Sequence, residues 1–373
     1  WKYAVCKWGI DPWVRRIKGE VINIIELLLE TDSIDFDFSS ELNIDEVWVD
    51  GLEVTEYGIS QNNSLFVKSS SFENGVEHDI RILYSGEPKR ENFFSFNQGF
   101  HGNSVPEIWT LSEPFGAADW WPCKMSLSDK LDSVRIEITV PDGNKAASQG
   151  SLEEVRLNSD MTSTYVWVHS YPIPAYLLSI AVTNYEQFSC FAELENRTVE
   201  ILNFVYPERL EDEMERGADI IPMMQLFSQL FGEYPYAQEK YGHAQASIPG
   251  GMEHSTMSTM SGLSYNLSAH ELAHQWFGNK VTCGSWSDIW LNEGFATYAN
   301  GLVIEHFKPD EYDAWKAKRI SSVTGQPGGS VFVADTLNRS MIFDGRLSYN
   351  KGACVLHMLR WIIGDDDFFE GIS

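Results

Sequence analysis

Residues 270–274 carry the spacing His-Glu-x-x-His, with His270, Glu271 and His274 at its defined positions. On an α-helix, positions four apart lie on one face, so His270 and His274 can present both imidazoles to a single ion. Glu271 is too close to them in sequence to chelate comfortably, but it is placed to act on water held by that ion. A catalytic zinc site takes three protein ligands and leaves one position open. Glu293, 19 positions after His274 in the run WLNEGFATY, can supply the third. The bland alternative is a chance pattern on an amphipathic helix, and a suitably spaced glutamate on a second helix argues against it. The chemistry this set suits is hydrolysis. Water is a poor nucleophile toward an amide at neutral pH, and zinc lowers its pKa to about 7. Glu271 can then take a proton from the attacking water and pass it to the leaving amine.

Two helices must position these side chains. Helical periodicity covers 266–278 and 288–306, with Gly278-Asn279 ending the first and Ser287 or Asp288 capping the second. A second helix running antiparallel to the first would return Glu293 to the histidines. The same periodicity begins near residue 207, runs as one segment to a stop at Gly232, and reappears over 350–363. Residues 240–254 interrupt it as a hairpin-like segment. The second half is therefore α+β, dominated by helices.

Residues 13 to about 185 predict β structure instead. Asp50-Gly51 between VWV and LEVTEY is a two-residue hairpin signal. Pro141-Asp142-Gly143-Asn144 ends the run VRIEITV with turn residues, and 165–170 and 176–185 predict two more strands. An all-β sandwich or saddle-shaped sheet is the natural architecture. The resulting organisation is multidomain: an N-terminal β domain over 1–188 and a catalytic domain over 189–373.

With 373 residues and 43% hydrophobic composition, the chain can bury a core in each of two domains. Its formal charge of −27, from 27 basic and 54 acidic residues, disfavours nucleic acid and anionic lipid as partners. That charge could mildly favour cationic peptides, though a merely soluble surface is the plainer reading. Cys6, Cys123, Cys190, Cys283 and Cys354 are scattered with no CxxC pair, which argues against a thiolate zinc site, and an odd number leaves at least one without a partner in the chain. No apolar run is long enough to span a bilayer; the richest, near residues 21–30, is broken by Asn23 and Glu26. The chain begins at Trp1 rather than Met, which leaves room for a removed leader. Export to a periplasmic or extracellular space is the expectation, with the cytoplasm as alternative. Asn62-Asn63-Ser64 and Asn196-Arg197-Thr198 fit the glycosylation sequon, a pattern common by chance. Oligomeric state stays open.

The run HELAHQWFGN followed by WLNEGFATY resembles the gluzincin metallopeptidases related to aminopeptidase N and leukotriene hydrolase. The resemblance implies one zinc per chain on His270, His274 and Glu293, Glu271 as general base, and a thermolysin-like catalytic domain. Gly250-Gly251-Met252-Glu253-His254 is similar to the family's GxMEN exopeptidase motif, which implies that Glu253 binds the substrate's free α-amine; His254 stands where Asn is usual. An edge strand with a small-residue bend is the competing reading. Trp109-Thr110-Leu111-Ser112-Glu113-Pro114 is similar to the TQxEP segment, implying that Glu113 is a second amine anchor, with Leu111 in the place of Gln. A plain turn before Pro114 competes with it. Tyr349-Asn350-Lys351-Gly352 is similar to YxKG, implying that Tyr349 stabilises the oxyanion; by spacing alone it would be one of 15 tyrosines.

The resemblance spans nearly the whole chain, including FGEYPYAQEKYG. It implies an aminopeptidase acting on peptides with a free N-terminus. An internal peptide bond has no amine and would leave the anchoring carboxylates unpaired, at a cost of several kcal/mol. Family members continue well past the tyrosine, whereas this chain stops 24 residues after it, at Ser373. The expectation is a C-terminally truncated fragment with a partly open cleft. A metalloendopeptidase, an epoxide hydrolase as in one branch of the family, and a catalytically impaired peptide-binding fragment are the rival readings.

Overall fold

Strand alternation organises the first part of the chain. Ala4, Cys6 and Trp8 point inward from strand Tyr3–Gly9, and Val134, Ile136, Ile138 and Val140 from strand Ser133–Pro141. A period of two with one apolar face is what a half-buried strand requires. The two strands pair in parallel, from Tyr3 opposite Ser133 to Gly9 opposite Thr139. The structure, a computed structural model, describes residues 1–60, 63–90 and 95–373. The sequon position Asn62 lies outside them. The chain forms two compact units. The first comprises Trp1–Gln187 with Phe204–Glu208 and Ala244–Ile248; the second comprises Phe188–Asn203, Arg209–His243 and Pro249–Ser373.

The first unit is built on an eight-stranded sheet in the order Ser151–Leu157, Thr162–His169, Ser133–Pro141, Tyr3–Gly9, Ile17–Glu26, Glu77–Gly86, Asn43–Val49, Leu52–Glu53. Its core includes Trp8, whose indole N–H donates to the Tyr84 hydroxyl at 2.9 Å; that hydroxyl donates in turn to the Trp120 carbonyl at 2.9 Å. Large aromatics are buried here with their polar handles satisfied. Asp50-Gly51 makes the expected hairpin, with φ of 51° and 76° and Val49 opposite Leu52. Four-stranded and three-stranded sheets complete the unit. The strand expected over 176–185 shrinks to Ala181–Thr183, because Pro174 opens a short 3-10 turn over Ala175–Leu177. No disulfide forms among the described residues.

The second unit combines helices with most of a five-stranded sheet, whose order is Glu186–Glu193, Thr198–Val205, Tyr241–Gln245, Ser258–Met260, Gly251–Met252. These are α1 (Leu210–Gly217), α2 (Ile220–Phe231), α3 (Tyr265–Ala273), α4 (Trp290–Phe307), α5 (Pro309–Thr324), α6 (Arg339–Ile342), α7 (Gly352–Ile363) and α8 (Asp365–Ile372). Among the described residues, no helix is long and apolar enough to cross a membrane.

Four local expectations need correction. The segment from 207 to 231 is two helices, broken after Gly217. The helix expected over 266–278 ends at Ala273, where main-chain bonding turns irregular: the Gln275 and Trp276 N–H groups bond three residues back, to Leu272 and Ala273, and those of Asn279, Lys280 and Val281 bond five residues back, to His274, Gln275 and Trp276. Neither Ser287 nor Asp288 caps the next helix. Ser285 instead accepts from the Ser287 N–H on a 3-10 turn that leads into α4. Finally, 240–254 is not a hairpin. The strand Ser258–Met260 lies between Tyr241–Gln245 and Gly251–Met252, and pairs with the latter through Gly251 opposite Met260 and Met252 opposite Thr259. The true hairpin therefore turns at 253–257.

Candidate active site

Helix α3 presents His270, and His274 follows as its C-cap, still in right-handed helical conformation. Helix α4 presents Glu293 in its first turn. Their donor atoms converge. His270 Nε2 lies 3.1 Å from Glu293 Oε2 and 3.1 Å from His274 Nε2, and His274 Nε2 lies 3.4 Å from Glu293 Oε2. Three ligands of a tetrahedral zinc at its usual bond lengths stand about 3.3 Å apart. Two imidazole nitrogens and a carboxylate oxygen are also the donor types zinc prefers, so the residues present fit the ion. The Phe277 carbonyl can only accept, so His274 Nδ1 must donate to it across 3.1 Å, which leaves Nε2 with its lone pair toward the other two donors.

Electrostatics point the same way. Burial raises the Glu271 carboxyl well above the usual carboxylate range, raises that of Glu253, and lowers His270. Burial also opposes protonation of His274, yet the carboxylates of Glu253 and Glu293 outweigh it and lift the ring to about 10. Glu293 is drawn down to about 2 against its burial, first by His274. A pocket that forces positive charge onto an imidazole is a pocket that attracts a cation.

Glu271 is 3% exposed, and its Oε2 has no hydrogen-bond partner. Gly251 packs directly beneath it: a Cβ there would sit 2.4 Å from Glu271 Oε1. Gly250, with φ of 105°, holds a backbone conformation that favours glycine. Met252 is buried on the short strand that leads to Glu253. Glu253 is 3% exposed; its Oε1 has no hydrogen-bond partner and lies 4.0 Å from His274 Nδ1. His254 turns inward, where Nδ1 meets the Thr259 hydroxyl at 2.9 Å.

Tyr349 lies on a π-helical turn, Gly345–Lys351, that takes in the first two residues of the helix expected over 350–363 and is anchored by the Asp344 carboxylate on the Arg346 and Leu347 N–H groups. Its hydroxyl donates to Glu293 Oε1 at 2.9 Å, and its ring stacks at 6.0 Å on His270. Such turns recur at functional sites. Glu113 belongs to the first unit. It follows strand Val105–Leu111 at a cis bond to Pro114, on a turn closed by the Gly116 N–H on the Ser112 carbonyl.

The histidines, Glu293, Glu271, Glu253, Gly251 and Tyr349 thus gather within the second unit. Sequence reasoning missed the groups that hold them. Asn279 donates from its side chain to the Glu253 carbonyl at 2.7 Å, and Gln275 accepts from the Thr256 N–H at 2.9 Å. Gly294 meets Gly352 so closely that a Cβ on the first would lie 2.9 Å from the Cα of the second. The only signal for the two amides is their place just after the second histidine.

Residues 222–373 match the model of the peptidase family M1 domain. The chain belongs to peptidase family M1. Among M1 relatives, it is 30% identical over 283 residues to the glutamyl aminopeptidase of Bos taurus, covering 68% of this chain and 29% of the relative. It is 24% identical to endoplasmic reticulum aminopeptidase 1 of Homo sapiens, over 80% of this chain and 34% of that protein. It is 27% identical to a probable aminopeptidase 1 of Sulfurisphaera tokodaii, over 93% and 45%. The chain spans about a third of the length of the first of these curated relatives. In fold, it resembles the M1 zinc metallopeptidase of Deinococcus radiodurans, with a TM-score of 0.85 and 24% identity, over 100% of this chain and 84% of that one. A two-domain M1 zinc metallopeptidase bound to L-tryptophan gives 0.85 and 23%, over 100% and 85%. A β-rich N-terminal part followed by a helical C-terminal part is the architecture this M1 chain shares with them.

Proposed function

We infer that this chain is the catalytic portion of a zinc-dependent aminopeptidase that removes single residues from the N-termini of peptides. The reading takes the second unit as a thermolysin-like catalytic domain holding one zinc on His270, His274 and Glu293. The observation that carries it is the mutual spacing of their three donor atoms, 3.1 to 3.4 Å. Bound there, zinc supplies Lewis acidity and lowers the pKa of water to about 7.

The remaining steps belong to the protein. Glu271 takes the proton of the attacking water and delivers it to the departing amine, and its buried carboxylate is a stronger base than one in solvent. Tyr349, held beside the donor set by Glu293, offers its hydroxyl to the oxyanion as charge develops. Glu253 supports exopeptidase over endopeptidase action: a buried carboxylate oxygen with no hydrogen-bond partner suits a protonated α-amine. The names of the relatives, all aminopeptidases among those described, agree with this.

A peptide with a free N-terminus and its N-acetylated counterpart provide the test, with zinc content measured in parallel. The free peptide should be shortened one residue at a time, and the acetylated one should resist. Glu253→Ala should raise KM for the free peptide only, and Glu271→Gln should retain zinc but lose turnover by about 10²- to 10⁴-fold. Equal hydrolysis of both peptides would establish a metalloendopeptidase. Pure folded material without stoichiometric zinc would sink the hydrolase reading altogether.

A further inference from the structure

Lys240 is the one buried lysine among the described residues, 2% exposed in the strand-leading segment before Tyr241. An ammonium taken out of water needs strong acceptors to compensate. It donates to the Thr256 carbonyl at 2.8 Å and to the Thr256 hydroxyl at 3.3 Å. Burial depresses its pKa to about 7. Thr256 itself has φ of 61°, in the left-handed region, where a β-branched residue is an outlier.

That residue closes a turn. The Met257 N–H donates to the His254 carbonyl at 3.2 Å, so Thr256 occupies the turn position where glycine or asparagine is usual. Its N–H is bound by Gln275 Oε1 at 2.9 Å. The turn begins one residue after Glu253, whose own carbonyl is bound by Asn279 at 2.7 Å. A change in the turn therefore redirects the Glu253 carboxylate.

We propose that Lys240 is a positioning residue for amine recognition: its ammonium clamps Thr256 in the left-handed conformation and thereby aims Glu253 at the substrate's N-terminus. The threonine is suited to the role because it gives the ammonium a second oxygen beyond the carbonyl. The proposal rests on the reading of Glu253 as the amine anchor.

The test measures affinity for an L-amino acid amide and for its N-acetyl derivative by calorimetry on the zinc-loaded chain, in a Glu271→Gln background so that ligand is not consumed. Glu253→Ala is measured alongside. Lys240→Met should weaken binding of the free-amine ligand by about tenfold or more, leave the acetylated ligand unaffected, and leave zinc content unchanged. The double variant Lys240→Met with Thr256→Gly should recover most of that affinity, since glycine holds φ above zero without a clamp. A lysine that only fills the core would not be rescued by a glycine 16 residues away. If Lys240→Met does not fold, Thr256→Val replaces it; that variant deletes only the hydroxyl acceptor and should weaken the free-amine ligand alone. Unchanged amine preference in the Lys240 or Thr256 variant, or a loss that glycine does not restore, overturns the clamp. If Glu253→Ala leaves the preference intact, it is the anchor assignment that fails.

Discussion

Glu271, the base in the proposed reaction, rests directly against the glycine beneath it. A carboxylate that transfers protons must be held within a few tenths of an ångström of its reacting partner, and misplacement by about 1 Å costs on the order of 10²-fold in rate. In this protein the floor under Glu271 is Gly251. A methyl group there would approach Oε1 to 2.4 Å, Cδ to 2.7 Å and Cγ to 2.8 Å, all closer than real contacts allow. Glu271 is buried, so its side chain has little room to retreat. Gly251→Ala should therefore lower kcat by about 10- to 100-fold while zinc stoichiometry holds, because the three atoms nearest the added methyl all belong to Glu271 and not to His270, His274 or Glu293. Turnover and metal analysis on the same preparation check it, and a wild-type kcat would remove Gly251 from the positioning of the base. The segment 250–254 was singled out in the sequence by likeness to a substrate-binding motif. The structure shows one of its glycines packed against Glu271, a contact that no side-chain pattern could have announced.

At the level of elements, one helix crossing delivers Tyr349 to Glu293. Gly294 on α4 faces Gly352 at the start of α7, and each would drive a Cβ to 2.9 Å from the other's backbone. The π-helical turn carrying Tyr349 runs directly into α7, so the separation of the two helices sets where the hydroxyl lies. Gly294→Ala should push α7 outward, destabilise the fold by about 1–3 kcal/mol, and reduce turnover further than that loss explains. Gly371→Ala, which meets nothing within 4 Å, should change neither. Thermal unfolding and kinetics of both variants decide; matching behaviour would show that the crossing tolerates a methyl.

This crossing also marks the limit of what the sequence reveals. The candidate metal ligands are legible because zinc accepts few residue types and a helix allows few spacings, so His270, His274 and Glu293 stand out. The β-rich first part is legible from alternation and from Asp50-Gly51. The supports are not legible. The Phe277 carbonyl is a main-chain atom, the Gly294–Gly352 contact consists of absent side chains, and the hairpin at 251–260 was misplaced because its two short strands give period-two alternation too little length to register. The early end of α3 escaped for a related reason: His274 keeps helical dihedrals, and only the main-chain bonds after it lose the regular four-residue step.

For the whole molecule, the dominant long-range feature is charge. A formal −27 over 373 residues creates a field that extends about 10 Å beyond the surface at 0.1 M salt and about 3 Å at 1 M. The proposed reaction needs a cation at its heart twice over, as zinc and as the substrate's protonated amine, and an acidic protein draws both. The local carboxylates act at contact range and are little affected by salt, because Glu253 and Glu293 are buried. The diffuse charge is screened. Salt therefore separates the two contributions. For a peptide carrying two extra lysines away from its N-terminus, KM should rise several-fold between about 20 mM and about 500 mM salt, while an uncharged peptide of equal length shifts less than about twofold. Steady-state kinetics over that range measure it. Parallel salt curves for the two peptides would mean that the acidic surface contributes solubility alone, and that recognition resides wholly in the buried carboxylates around His274.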